Sequence, residues 1–75
     1  MKLQQKFNEF AKRNQLTPQQ RNVLFYMLQG GCVKKVASKM GLSPNTVKSH
    51  LNIAYLKLNV HSALEACSAF YEETE

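Results

Sequence analysis

The stretch SPNTVKSHLNIAYLKL, Ser43 to Leu58, decides how this sequence folds, and one side of it raises the question of function. Read as a helix, it places Val47, Leu51, Ala54 and Leu58 at steps of four, three and four along one apolar stripe. Asn45, Lys48, Ser49 and Asn52 gather on the opposite side. A solvated helix face ordinarily mixes Lys with Glu, because both have good helix propensity and pair one turn apart. This side carries no acid. Its short amides, hydroxyl and lysine are poor helix stabilisers and good hydrogen-bonding partners for something flat and negatively charged.

The punctuation on either side divides the chain into further helices. Ser43 is placed as an N-cap with Pro44 at the first helical position. Just upstream, Gly41 closes a short helix from about Val33 to Met40 by taking a left-handed conformation. Thr17, Pro18 and Gln20 form a capping box for a helix that runs to Leu28, stops at Gly30-Gly31 and buries Val23, Leu24, Met27 and Leu28. Leu3 to Asn14 reads as an amphipathic helix with Leu3, Phe7 and Phe10 inward. Downstream, a break at residues 59–61 leads to Ser62 and Glu65, the spacing of another capping box for a last helix.

No segment alternates with period two, so no sheet is predicted. The predicted fold is all-α: a small bundle with a central helix-turn-helix and four core helices counting the last, plus an N-terminal amphipathic helix. In the central pair, Val36, Ala37 and Met40 face inward, Leu42 plugs the turn, and Val47 and Leu51 receive them. We read residues 1–75 as one domain, with the amphipathic helix at 1–15, the helix-turn-helix core at 16–61 and a last helix with an acidic tail at 62–75.

Composition excludes several classes. A chain of 75 residues with 44% hydrophobic residues can build one small core and does not belong to the disordered class. No apolar run approaches the roughly 20 residues that span a bilayer, which predicts a cytoplasmic protein with no membrane role. Cys32 and Cys67 lack a CxxC spacing and read as packing residues, and His50 and His61 give no metal spacing. The chain has no Asp, no clustered histidines and no glycine-rich phosphate loop, so an enzyme, a cofactor and a metal are all unexpected. Ten Lys plus Arg against five acids give a net charge of +5. Four of the acids, Glu65, Glu72, Glu73 and Glu75, lie in the last segment, so the body before it is strongly basic. Nucleic acid is the commonest anionic partner of such a body.

LTPQQRNVL, then GG, then KKVASKMGLSPNTVKSHLNIAYLKLNV resembles the LuxR/GerE-type helix-turn-helix domain, whose pattern reads LTxRExxVL, G, NKEIAxxLxIS, TVKxHxxxIxxKLxV. The likeness runs from about Leu16 to Cys67. Gln20 stands where the family has Glu and Ala63 where it often has Arg, which removes any charged tie between those positions. Val33, Lys35 and Ala54 also depart from the pattern, altering packing and adding positive charge without removing the polar face.

The resemblance implies a bacterial, sequence-specific regulator of transcription that reads the major groove of double-stranded DNA with the Pro44 to Leu58 helix. Lys48, Ser49 and Asn52 match positions that meet base edges, with Asn45 beside them; lysine suits guanine, asparagine adenine, and serine either. Thr46, Lys57, Lys34 and Lys35 fall to backbone phosphates, the last two at an amide-rich helix end. His50, on the edge of the apolar stripe, reads as packed rather than as a DNA contact. Members usually carry this domain behind a receiver or ligand-binding domain. The amphipathic helix after Met1 suggests a stand-alone, GerE-like short member, controlled by its concentration or a partner and associated with the nucleoid when bound. No small-molecule ligand is expected.

The last helix has two apolar faces, one with Leu64, Cys67 and Tyr71, the other with Ala66, Ala69 and Phe70. A small bundle buries only one of them. The other is left for a contact, and the resemblance implies a homodimer through this helix, so Leu64, Cys67, Phe70 and Tyr71 are all interface candidates. A competing reading rests on Ile53 and Leu56, which point away from the apolar stripe toward the sides of the recognition helix. It makes the chain a protein-interaction module that binds RNA polymerase or another regulator and modulates it without reading DNA.

Overall fold

A computed structural model describes residues 2–74 and shows five helices, with no strand among the described residues: α1 (Leu3–Arg13), α2 (Pro18–Leu28), α3 (Val33–Met40), α4 (Pro44–Leu58) and α5 (Ala63–Thr74). Met1 and Glu75, the last residue of the acidic tail, lie outside the described residues. The all-α bundle with a central helix-turn-helix is therefore the observed fold.

The predicted starts are the observed ones. Thr17 Oγ1 accepts from the Gln20 backbone N–H (3.2 Å) while Gln20 Oε1 accepts from the Thr17 N–H (3.1 Å), a reciprocal box opening α2 at Pro18. Ser43 Oγ accepts from the Thr46 N–H at 3.1 Å to open α4, and Ser62 Oγ accepts from the Glu65 N–H at 3.2 Å to open α5.

Helix ends share one device. Gln15 (φ 62°), Gly30 (φ 88°), Gly41 (φ 67°) and Asn59 (φ 58°) all take left-handed conformations. After each, the next residue's N–H reaches back five positions: Leu16 to Ala11, Gly31 to Tyr26, Leu42 to Ala37 and Val60 to Tyr55, at 2.9–3.3 Å. This is the Schellman closure, which satisfies carbonyls left over by the last turn and tucks in the residue that follows. Leu16, Leu42 and Val60 are accordingly half-buried against the core. At Gly31 the constraint is close approach: an added Cβ would sit 2.8 Å from the Tyr26 carbonyl oxygen.

Helix α2 packs on all four other helices and α4 on α2, α3 and α5, while α1 packs only on α2 and α5. Val36, Ala37, Val47, Leu51 and Ala54 lock α3 against α4, and Val23 and Leu24 of α2 close the same core. Helix α1 adds an aromatic cluster in which Phe7 lies 5.1 Å from Phe25 and 5.3 Å from Phe70, and Phe10 lies 5.3 Å from Phe70. Tilted and edge-on rings at this spacing contribute beyond the area they bury.

Three expectations about burial need correction. Leu3 is half exposed, because the inward face of α1 is completed by Ala11. Met27 and Leu28 are only half-buried, at the end of α2 where the chain turns away. On α5 the inward face is the one with Ala66, Ala69 and Phe70, so Phe70 belongs to the core and not to an exposed contact surface. Its ring is held there by Phe7 and Phe10 of α1.

Candidate nucleic-acid interface

Asn45, Lys48, Ser49 and Asn52 are all exposed on α4, and the residues one step round the helix, Val47, Leu51 and Ala54, are buried. The core thus fixes the rotation of α4 and presents one contiguous polar stripe. Position along the axis follows from helix geometry: Lys48 and Asn52 are one turn, about 6 Å, apart. Leu56 continues the line Asn45, Ser49, Asn52 at the same steps of four and three, and is 79% exposed. This corrects its expected place at the side of the helix: it lies on the stripe itself, and Ile53, 42% exposed, flanks it.

Thr46 is half-buried, and its hydroxyl lies 2.8 Å from Ser43 Oγ, so part of its hydrogen-bonding capacity serves the helix cap. Lys34 and Lys35 are both exposed in the first turn of α3 but diverge by about 100° round the helix. Lys35 lines a groove of about 290 Å³ between the end of α2 and α3, together with Tyr26, residues 29–31 and Lys39. Lys39 Nζ sits 4.5 Å over the Tyr26 ring, a cation–π contact that steadies it. Lys39, a further basic residue on this flank, is marked in the sequence only by its spacing of four from Lys35.

Lys57 behaves differently from the phosphate role given to it. Its ammonium donates to the Gln15 carbonyl (2.9 Å) and to Gln20 Oε1 (2.8 Å), tying the end of α4 to the turn before α2 and to α2 itself. Two of its three protons are therefore spent inside the fold. Gln20, only 6% exposed, accepts from both Lys57 and the Thr17 N–H. Gln20 thus meets Lys57 as a neutral acceptor.

Electrostatically the molecule is divided. Residues 33–58, covering α3, the turn and α4, contain no acid, whereas α5 carries Glu65, Glu72 and Glu73. Cys32, exposed at the start of α3, feels the same field: the Lys35 backbone N–H holds its thiol below the ordinary value, with the Lys34 N–H and both lysine charges adding to it. On the other flank, burial pushes the Tyr55 hydroxyl above its ordinary value. His50 is half-buried.

A short helix, a glycine-closed turn and a longer helix whose outward stripe is polar, lysine-bearing and free of acid define a helix-turn-helix protein. Residues 14–70 match the family of bacterial regulatory proteins known as the luxR family, described by its GerE model. The chain belongs to that family, whose members are DNA-binding transcription regulators. It is similar to the nitrate/nitrite response regulator protein NarL of Escherichia coli (strain K12), 33% identical over 60 residues, which are 80% of this chain and 28% of NarL. A homologous nitrate/nitrite response regulator of Haemophilus influenzae is 36% identical over 58 residues, covering 77% of this chain and 28% of that one. Spore germination protein GerE of Bacillus subtilis (strain 168) is 33% identical over 61 residues, 81% of this chain and 82% of GerE. The chain thus spans under a third of the response regulators it matches and most of GerE. No solved structure matches it at this level. The whole of α1 precedes the segment matched by the family model.

Proposed function

We propose that the protein is a sequence-specific regulator of transcription in the bacterial cytoplasm that reads the major groove of double-stranded DNA with α4. The observation that carries this is the single exposed stripe of Asn45, Lys48, Ser49 and Asn52 on a helix pair without an acid. Lys48, Ser49, Asn52 and Asn45 would meet base edges, with Lys34, Lys35 and the remaining capacity of Thr46 directed at phosphates. We assign Lys57 to the fold first and to DNA second.

A dimer completes this reading. Leu64 (78% exposed) and Tyr71 (55% exposed), with half-buried Cys67 between them, form an outward apolar ridge on α5. Two copies joined there by a twofold axis would set their α4 helices in successive major grooves, about 34 Å apart, on an inverted repeat. The deciding experiment is a polarisation titration at several salt concentrations on sites selected from random DNA, with sedimentation at saturation. A log–log salt slope of roughly −0.9 per neutralised phosphate and two copies per duplex are expected, with Leu64→Glu reducing cooperativity in a folded protein. Salt-independent or absent DNA binding would instead favour a module that docks on RNA polymerase or another regulator.

A further inference from the structure

The polar stripe of α4 stops at Asn52, but the exposed line does not. Leu56 follows it one turn on, about 6 Å along the axis and so under two base steps away, with Ile53 three residues before it on the flank. Leu56 also shares with Asn52 a shallow groove of about 300 Å³, walled by Tyr55, Val60 and His61. Neither apolar side chain is used by the core, which takes Val47, Leu51 and Ala54 from the other side of the helix.

We propose that Ile53 and Leu56 are specificity-determining residues that recognise thymine C5-methyl groups, giving α4 a reading face with a polar N-terminal half and an apolar C-terminal half. The inference rests on α4 entering the major groove as set out above. Leu56, in line with Asn52 and Ser49, and Ile53 on the flank beside it, on a helix pair free of acid, lie where the edges of base pairs would pass rather than on a separate patch. In the major groove only thymine presents an apolar group; every other base edge offers donors and acceptors that leucine or isoleucine would leave unpaired. The apolar half therefore favours A·T pairs bearing a methyl at its level and disfavours G·C there.

The test replaces each thymine of a selected site, one at a time, with deoxyuridine, which removes the methyl and leaves the pairing intact. For the unaltered protein, affinity should fall about fourfold for each methyl contacted, at thymines on one side of the bases read by Lys48 and Asn52. Leu56→Ala and Ile53→Ala, at exposed positions and checked for folding by circular dichroism, should bind the thymine and deoxyuridine forms alike at the corresponding thymine. Equal affinity of the unaltered protein for all thymine and deoxyuridine forms would overturn the proposal. So would alanine variants that keep the full sensitivity. Failure of the groove-reading premise is a separate result, since no site would then be selected from random DNA at all.

Discussion

Replacing Lys57 by methionine separates a structural lysine from a DNA-binding one. Methionine keeps the unbranched apolar stem and the helix propensity of lysine and lacks the ammonium. Two charge-assisted hydrogen bonds are lost, to the Gln15 carbonyl at 2.9 Å and to Gln20 Oε1 at 2.8 Å. Such bonds contribute about 1.5–3 kcal/mol each when desolvated. Here the lysine and Gln15 are exposed, so water replaces much of the first. Gln20 is 6% exposed but still holds the Thr17 N–H, so no buried oxygen is orphaned. The net cost should be about 1–2 kcal/mol, which in a domain of this size lowers Tm by roughly 4–15 °C. Thermal and urea unfolding followed by far-UV circular dichroism measure it. Affinity for DNA, read well below Tm, should change little. An unchanged Tm with a uniform loss of affinity on all sequences, and a salt slope shallower by about 0.9, would refute the structural assignment and return Lys57 to a phosphate.

Gln20→Glu should raise stability by about 0.5–1 kcal/mol in the same unfolding assay, because a carboxylate at the start of α2 meets both Lys57 and the helix dipole; a loss would mean that desolvation outweighs the pairing. Phe70→Ala should cost about 3–5 kcal/mol and leave the chain largely unfolded, whereas Tyr71→Ala, at a half-exposed position, should cost under about 1. Comparable losses would reverse the assignment of the two faces of α5. At neutral pH, iodoacetamide should modify Cys32 faster in the folded protein than in urea, because the folded form favours the thiolate. The difference should vanish once the pH rises above the ordinary thiol value, and equal rates at neutral pH would show that the start of α3 exerts no such field.

What could be read in the sequence was local. Thr17, Ser43 and Gly41 announce the helix boundaries because a cap is a contact between residues two or three apart, and its geometry travels with the sequence. The left-handed closure at Gln15 carries no such mark. Glutamine has no special liking for that conformation, and the fold imposes it through Leu16, whose half-buried side chain and N–H bond to Ala11 draw the chain round. The polar stripe of α4 was equally legible, since the rotation of an amphipathic helix is set by its own apolar residues.

Position along the chain fails where two long-range partners compete for the same group. Periodicity shows that α5 has two apolar faces but is symmetric between them; the choice is made by Phe7 and Phe10, some sixty residues earlier, whose rings meet Phe70. The ammonium of Lys57 would serve a phosphate or a carbonyl with equal chemistry. What decides is that Gln15, turned by its positive φ, and the buried amide of Gln20 both lie within 3 Å of it. Lys48, by contrast, has no acid near it on α3 or α4 and lies exposed on the stripe opposite the core. The same residue type thus divides into a fastener and an exposed lysine that the fold does not use. The division follows from which side of α4 the core occupies, and it is this that leaves Lys48 on the face where Asn45, Ser49 and Asn52 also stand.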